Sequence, residues 1–180
     1  MITLEQLKTL LDIAQDDTES DDFLNQIIDA SVSLMERYIG NKIMAADVTE
    51  TLNGSASHVI ALTYYPVISM TLARDLTMDK DILSSIVLES NGATGLVRCD
   101  SDFFYADHQY KFAYRAGYET MPPDIAYAQL LLSQHLYYQT DRVKGGVQSV
   151  VTPDGSYVYD THAIPLQVQQ ILDRYRKHYF

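Results

Sequence analysis

This 180-residue chain has no tryptophan and a single cysteine, Cys99. One thiol excludes a disulfide within the chain and any zinc site built from several cysteines, and it fits folding in a reducing cytoplasm. Cations are scarce: 13 Lys+Arg stand against 24 Asp+Glu, a formal charge of −11. Tight duplex-DNA binding needs lysine and arginine to displace phosphate counterions, so this balance argues against a DNA-binding accessory protein. No apolar run approaches the ~20 residues that cross a bilayer. The first residues lack the basic flank and continuous apolar stretch of a signal peptide, so no leader is expected. Glycine-rich phosphate loops are missing too. Gly92 and Gly95 lack the remaining glycine and lysine pattern, Gly145-Gly146 stand alone, and no His-Glu-x-x-His pair occurs. No cofactor or metal is expected.

What is present suits a globular chain. Apolar residues make up 47% and charged ones 21%, which excludes disorder over the whole length and fits one domain over 1–180. Fourteen tyrosines are unusual. Each combines a large ring with a hydroxyl, suited either to half-buried strand and helix positions or to a surface that a partner covers. The charge is uneven. Residues 1–50 hold 11 acidic and 3 basic side chains, residues 51–180 hold 13 and 10, and the last twenty carry Arg174, Arg176 and Lys177 against Asp173.

Periodicity orders the chain as helix, helix, β-rich insert, helix, extended loop, helix. Thr3 and Gln6 have capping-box spacing, and Leu4, Leu7, Leu10 and Leu11 share a face, predicting a helix over about 3–14. After the acidic break Asp16 to Asp22, the stripe Leu24, Ile27, Ile28, Ser31, Leu34, Met35, Tyr38 predicts a helix over about 21–40, stopped by Gly40 and Asn41. Over about 47–116 the period shortens. Segments around 48–52 and 59–62 flank Asn53-Gly54, those at 86–88 and 95–98 flank Asn91-Gly92, and both dipeptides mark hairpins. Pro122 and Pro123 open a helix over about 122–143, and Pro165 opens another over about 165–178. Between them, 145–164 is an extended loop with strand character around Thr152-Pro153-Asp154-Gly155. The expected fold is α+β, mainly α: a small bundle of about four helices with an antiparallel β-hairpin region inserted between the second and third, leaning on the bundle.

Catalytic chemistry is sparse. Asp100, Asp102, Asp107 and His108 form the nearest approach to an acid–base or metal cluster, without the glycine and final glutamate of a calcium loop. A small hydrolase using His108 with these aspartates is the rival reading from a different class; loop solvation and turn formation explain the cluster as well. Ser133 and His135 lie two apart, on different sides of a helix, which argues against a local dyad.

Several segments, taken in order, resemble one family. Met1-Ile2-Thr3-Leu4-Glu5-Gln6-Leu7-Lys8 precedes the acidic break, and the second helix ends in Met35-Glu36-Arg37-Tyr38-Ile39-Gly40. Tyr64-Tyr65-Pro66-Val67-Ile68 follows, then Tyr114-Arg115-Ala116-Gly117-Tyr118 before Met121-Pro122-Pro123-Asp124-Ile125, and finally Leu172-Asp173-Arg174-Tyr175-Arg176. In this order the chain resembles the head–tail connector proteins of tailed bacteriophages, also called head-completion or adaptor proteins. The resemblance implies a non-catalytic virion protein of the neck, made in the host cytoplasm. It implies a homo-oligomeric ring, dodecameric in the virion, beneath the portal protein. Such a ring extends the DNA channel without sequence-specific binding and offers a platform to a downstream neck or tail-completion protein. Another neck or tail-completion protein is the nearest alternative.

A ring closes through one heterologous contact repeated, so each subunit needs two complementary faces. Asp16, Asp17, Glu19, Asp21 and Asp22 form an acidic inter-subunit candidate. Arg174, Tyr175, Arg176, Lys177 and Tyr179 form a basic, aromatic candidate for portal or inter-subunit docking. Opposition to helix dipoles within each subunit is the simpler explanation of both sets of charges. In the extended loop, Val147, Val150, Val151, Tyr157 and Tyr159 are candidates for strand addition to a partner.

Overall fold

The computed structural model describes residues 1–100, 103–143, 149–152, 155–158 and 163–177. Its contacts group into two compact units, one formed by Met1–Gly40 with Met121–Phe180 and one by Asn41–Thr120.

The first unit is helical. Helix α1 spans Leu4–Leu11 and opens with the expected capping box: Gln6 N–H donates to Thr3 Oγ1 (3.3 Å), and Thr3 N–H donates to Gln6 Oε1 (2.9 Å). It ends a turn early, where Asp12 adopts a left-handed conformation (φ 58°). Helix α2, Asp21–Ile39, stops at Gly40, whose φ of 70° suits a residue without Cβ and whose N–H caps Glu36 O at 2.9 Å. Helix α3 spans Pro123–Val143, and α4 spans Leu166–Leu172, followed by a 3-10 turn at Asp173–Tyr175. The last helix is thus shorter than the expected 165–178: Arg176 is extended, and Lys177 N–H donates to Ile39 O at 2.8 Å. Leu7, Leu11, Leu24 and Ile28 bury the seam of α1 and α2, with Leu130 and Tyr137 of α3 packed against it. Gln129 is buried among them and satisfied, accepting from Ile2 N–H (3.1 Å) and donating to Ile28 O (3.4 Å).

The second unit corrects the expected fold class. The chain is not a mainly helical bundle with inserted hairpins: the central segment is built of seven strands in two antiparallel sheets around a core of its own. The strands are β1 (Ala46–Asn53), β2 (Val59–Ala61), β3 (Val67–Asp75), β4 (Lys80–Asp81), β5 (Ile86–Leu88), β6 (Leu96–Cys99) and β7 (Gln109–Ala116). One sheet has the order β1-β7-β3-β4, the other β2-β6-β5. Asn53-Gly54 joins no hairpin. β1 pairs with β7, from Ala46 opposite Ala116 to Asn53 opposite Gln109, while β2 pairs with β6. Across Asn91-Gly92, β5 does pair with β6.

The reason for the difference is side-chain alternation. In β7, Tyr110, Phe112, Tyr114 and Ala116 are buried, while Gln109, Lys111 and Arg115 are exposed. A strand with one face so large and apolar must be flanked on both sides and covered, which two-stranded hairpins cannot do. β1 and β3 flank it, and Phe104, Val97, Ile60 and Leu62 fill the core with it. Phe104 meets Tyr110 edge-on, with ring centroids 5.1 Å apart. Strands β8 (Ser149–Thr152) and β9 (Gly155–Val158) form a separate two-stranded ladder. Among the described residues, no helix is long and apolar enough to cross a membrane.

Candidate interaction surfaces

Two segments singled out in the sequence, fifty residues apart, prove to be one structure. Val67 pairs with Ala116, and Gly117 N–H donates to Pro66 O at 2.9 Å. Tyr64 N–H donates to Tyr114 Oη (3.2 Å), and Tyr114 in turn donates to Glu50 Oε1 (2.6 Å), which also accepts from Thr63 N–H (2.9 Å). Burial, reinforced by the Glu50 carboxylate, holds the Tyr114 hydroxyl far above its ordinary range, so it stays a donor. Asn41 completes the clasp: its Nδ2 donates to Tyr65 O (2.6 Å) and its Oδ1 accepts from Tyr65 N–H (3.2 Å). Gly117 has φ +111°, and a Cβ there would lie 2.5 Å from Met44 O, so this position excludes side chains on both grounds. The two segments are therefore tied into the scaffold of this unit.

The acidic candidates lie on the α1–α2 loop and the first turn of α2. Asp16, Asp17, Glu19 and Asp22 are exposed, and Asp17 Oδ1 accepts from Glu19 N–H at 3.0 Å. Asp21 differs, because it forms an ion pair with Lys8. Lys8 is 2% exposed, and its Nζ also donates to Gln15 O (3.4 Å) and Asp17 O (2.7 Å). A buried cation thus ties down the loop that displays the acidic residues. It was legible in part: Lys8 is the only lysine or arginine in the first 36 residues and falls between Leu4 and Leu11 on the apolar face.

The basic candidates are woven into the helical unit. Tyr175 Oη donates to the Asp124 carboxylate (2.7 and 2.8 Å to its two oxygens), so the end of α4 is tied to the start of α3. The Arg176 guanidinium lies 5.4 Å from the centre of the Tyr38 ring, and Tyr38 Oη donates to Asp173 Oδ1 at 2.8 Å. That hydrogen bond to a carboxylate, with a smaller contribution from burial, raises the Tyr38 hydroxyl above its ordinary value. Arg174 is exposed. Tyr179 lies outside the described residues, as do Val147 and Tyr159 of the loop candidates. Val150 and Val151 fall in β8 and Tyr157 in β9, with Val150 opposite Tyr157.

Among the described residues, the aspartates of the rival acid–base reading do not hydrogen-bond His108. His108 Nδ1 lies 2.7 Å from Asp75 Oδ2, a residue 33 positions earlier. Asp100 sits beside Arg98 (3.1 Å), exposed Asp107 is 3.9 Å from His108 Nε2, and Asp102 lies outside the described residues. The His108–Asp75 pair holds a turn. Asp75 Oδ1 accepts from Thr77 N–H (2.8 Å) and Met78 N–H (3.0 Å), fixing the β3–β4 connection. Burial by itself would raise the Asp75 carboxyl, but the Met78 amide, the His108 hydrogen bond and the Thr77 amide outweigh it and hold it below its ordinary 3.8. The lowered value means that Asp75 contributes stability above its unfolded value and loses it as pH falls through the folded one. The deficit of an Asp75→Asn variant in thermal unfolding is therefore expected to be full near about pH 6 and to shrink towards about pH 3. A gap that widens on acidification would contradict this assignment.

One further surface was invisible in the sequence. Phe23, Gln26, Ile27 and Ala30 of α2 and Leu136, Gln139 and Thr140 of α3 line an open, almost wholly apolar groove of about 480 Å³. It continues the buried α2–α3 seam towards the start of α2, and among the described residues no charged side chain lines it. Phe23 forms one wall and reaches Tyr137, with ring centroids 6.2 Å apart.

Comparison with known proteins completes the description. A family model described as head completion protein matches residues 1–178. The chain superposes on a protein from the neck of an empty gene transfer agent particle computed with C6 symmetry, with TM-score 0.70 and 14% identity, covering 99% of this chain and 91% of that one. A chain from the virion of the native gene transfer agent particle gives TM-score 0.67 and 16% identity, with the same coverage. A chain from the neck of the native particle computed with C12 symmetry gives 0.63 and 15%, covering 100% and 93%. At these identities the likeness establishes a shared fold. No curated protein sequence matches the chain.

Proposed function

The chain belongs to the head completion protein family, and on that premise we propose that it is a structural part of a virion neck, joining capsid to tail. Copies form a ring coaxial with the DNA channel, beneath the portal protein and above a downstream neck or tail-completion protein. The ring is dodecameric in the virion, lets DNA pass without reading its sequence, and performs no catalysis. The observation that carries this reading is the family match over nearly the whole chain. The fold shared with neck and virion chains at 91–93% coverage of those chains supports it. The net charge of −11 accords with a channel wall that does not retain DNA.

Within that role, Arg174, Tyr175, Arg176, Lys177 and Tyr179 form the portal or inter-subunit contact, Asp16, Asp17, Glu19, Asp21 and Asp22 an acidic inter-subunit face, and Val147, Val150, Val151, Tyr157 and Tyr159 a docking loop. Because Tyr175, Arg176 and Lys177 also brace the helical unit, truncating the C-terminus would confound folding with docking. Exposed Arg174 is the cleaner probe. Electron microscopy of the protein mixed with purified portal rings is expected to show an added layer coaxial with the channel, and Arg174→Glu is expected to weaken its attachment. Bare portal rings at saturating wild-type protein would refute the reading.

A further inference from the structure

We propose that the outer edge of β1 is a strand-docking site and that the β8–β9 hairpin of the next copy occupies it. The inference rests on the ring reading above and names the contact that closes the ring. The direction of each main-chain bond along β7 decides which groups of β1 face outwards. On the β3 side, Gln109 O accepts from Leu76 N–H (2.8 Å) and Gly117 N–H donates to Pro66 O (2.9 Å). On the β1 side, His108 O accepts from Gly54 N–H (3.0 Å) and Tyr118 O from Ala45 N–H (3.1 Å). Main-chain groups of an antiparallel strand bond alternately to its two neighbours. The even-numbered residues of β7 therefore bond β1, through their partners Ala46, Val48, Glu50 and Leu52. Asp47, Thr49, Thr51 and Asn53 direct their N–H and C=O groups away from β7. Among the described residues no strand pairs with β1 on that side, and all four residues are exposed.

Folded proteins blunt such edges with short strands, bulges, proline, lysine or an inward charge. The other edges of the two sheets are short: β4 has two residues, β2 and β5 three each. β1 has eight, in unbroken register with β7 and without proline or lysine. Its inward charge, Glu50, is already satisfied by the Tyr114 hydroxyl and Thr63 N–H. Asp47, its one outward charge, is paired with Arg115 (3.2 Å). On the core side Val48 and Leu52 are only half-buried, whereas Tyr114 and Tyr110 opposite them are each 2% exposed. An unguarded row of main-chain donors and acceptors beside an uncovered apolar lip is met by one kind of partner, an extended strand. The hairpin is the chain's own candidate. β8 and β9 pair with each other and, among the described residues, with no other strand, and a lone two-stranded ladder is marginal in water. Their eight residues include three valines, a threonine and a tyrosine and carry no charge, so nothing in them opposes Asp47 and Glu50. A four-residue strand spans about 13 Å, enough to engage the outward groups of Thr49 and Thr51. Each copy thus carries an edge lacking a strand and a hairpin lacking a sheet. These are different surfaces, as a closed cyclic ring requires: a heterologous contact repeats, whereas a self-complementary one stops at a dimer.

Amide hydrogen exchange on the full wild-type chain reads this directly. In the unassembled protein the Thr49 and Thr51 amides should exchange faster than those of Val48 and Glu50. Under conditions where the protein assembles, alone or on portal rings, the Thr49 and Thr51 amides and those within Ser149–Val158 are expected to slow about tenfold or more. Two variants then test the pairing. Thr49→Pro removes an edge donor but no bond to β7, and replacing Ser149–Val158 by a glycine-serine segment of equal length removes the hairpin. Each alone is expected to unfold as wild type and to form no rings. Mixed, they are expected to give one-to-one dimers and nothing larger, because one keeps the hairpin and the other keeps the edge. Thr49→Ala, which retains the N–H, is expected to assemble as wild type. Rings formed without the hairpin, or wild-type rings whose edge amides stay fast, would overturn the contact while leaving the ring intact. Wild-type protein that never self-associates, even on portal rings, would remove the ring reading and this contact with it.

Discussion

Replacing Lys8 by methionine is expected to lower stability by about 3 kcal/mol, near the lower end of the range for removing one partner of a buried ion pair. Methionine keeps most of the aliphatic stem, so packing against Leu4 and Leu11 changes little. What disappears is the charge and three donated contacts, to Asp21, Gln15 O and Asp17 O. The Asp21 side chain is 26% exposed and keeps some water, which is why the loss stays at the lower end. A urea titration should show a lower midpoint. The acidic loop should also become more sensitive to protease, because the ammonium is what gathers residues 15–21. Lys8→Met combined with Asp21→Asn should recover part of the loss, since the orphaned carboxylate is then gone. A single variant within about 0.5 kcal/mol of wild type would show that the clamp contributes no more than a surface pair.

Lys8 also shows where reading the sequence reached its limit. Its position on an apolar face was visible; its partners were not, because two of the three are backbone carbonyls placed by a loop with no repeating pattern. Helices were legible wherever the determinants were local. Thr3 with Gln6, and Gly40 with its left-handed turn, fixed ends that the structure reproduces within a few residues. The end of α4 escaped because Arg176 leaves the helix and Lys177 N–H bonds to distant Ile39 O, not because of any breaker residue. In the centre, the strands were recognisable from alternation, but their partners were not. Asn53-Gly54 has the composition of a tight hairpin, yet Gly54 N–H donates to His108 O (3.0 Å), and a Cβ there would lie 1.9 Å from Tyr105 O. The glycine serves a close approach between distant loops instead of a turn. The Asp75–His108 pair was not legible for the same reason: the aspartates nearest His108 in sequence, Asp107 among them, are not its hydrogen-bond partner in space.

Two phenylalanines should separate scaffold from surface. Phe112→Ala is expected to cost about 3–5 kcal/mol, the range for deleting a buried aromatic ring and leaving a cavity. Phe112 is fully buried in the middle of β7, opposite Glu50 of β1 and Ala73 of β3, and it packs near Phe104 with centroids 6.4 Å apart. Both neighbouring strands hang on β7, so hydrogen exchange should accelerate across β1, β3 and β7 together. Phe23 offers the contrast. It is as large and as apolar, but it stands at the mouth of the α2–α3 groove with more than a third of its surface exposed. Truncating it leaves an open wall in place of a sealed void, so water fills the space and Phe23→Ala should cost no more than about 1 kcal/mol in the isolated chain. The two substitutions are chemically identical, and only burial distinguishes them. If Phe23→Ala unfolded the helical unit as severely as Phe112→Ala unfolds the sheets, the groove would be part of the core and not a surface.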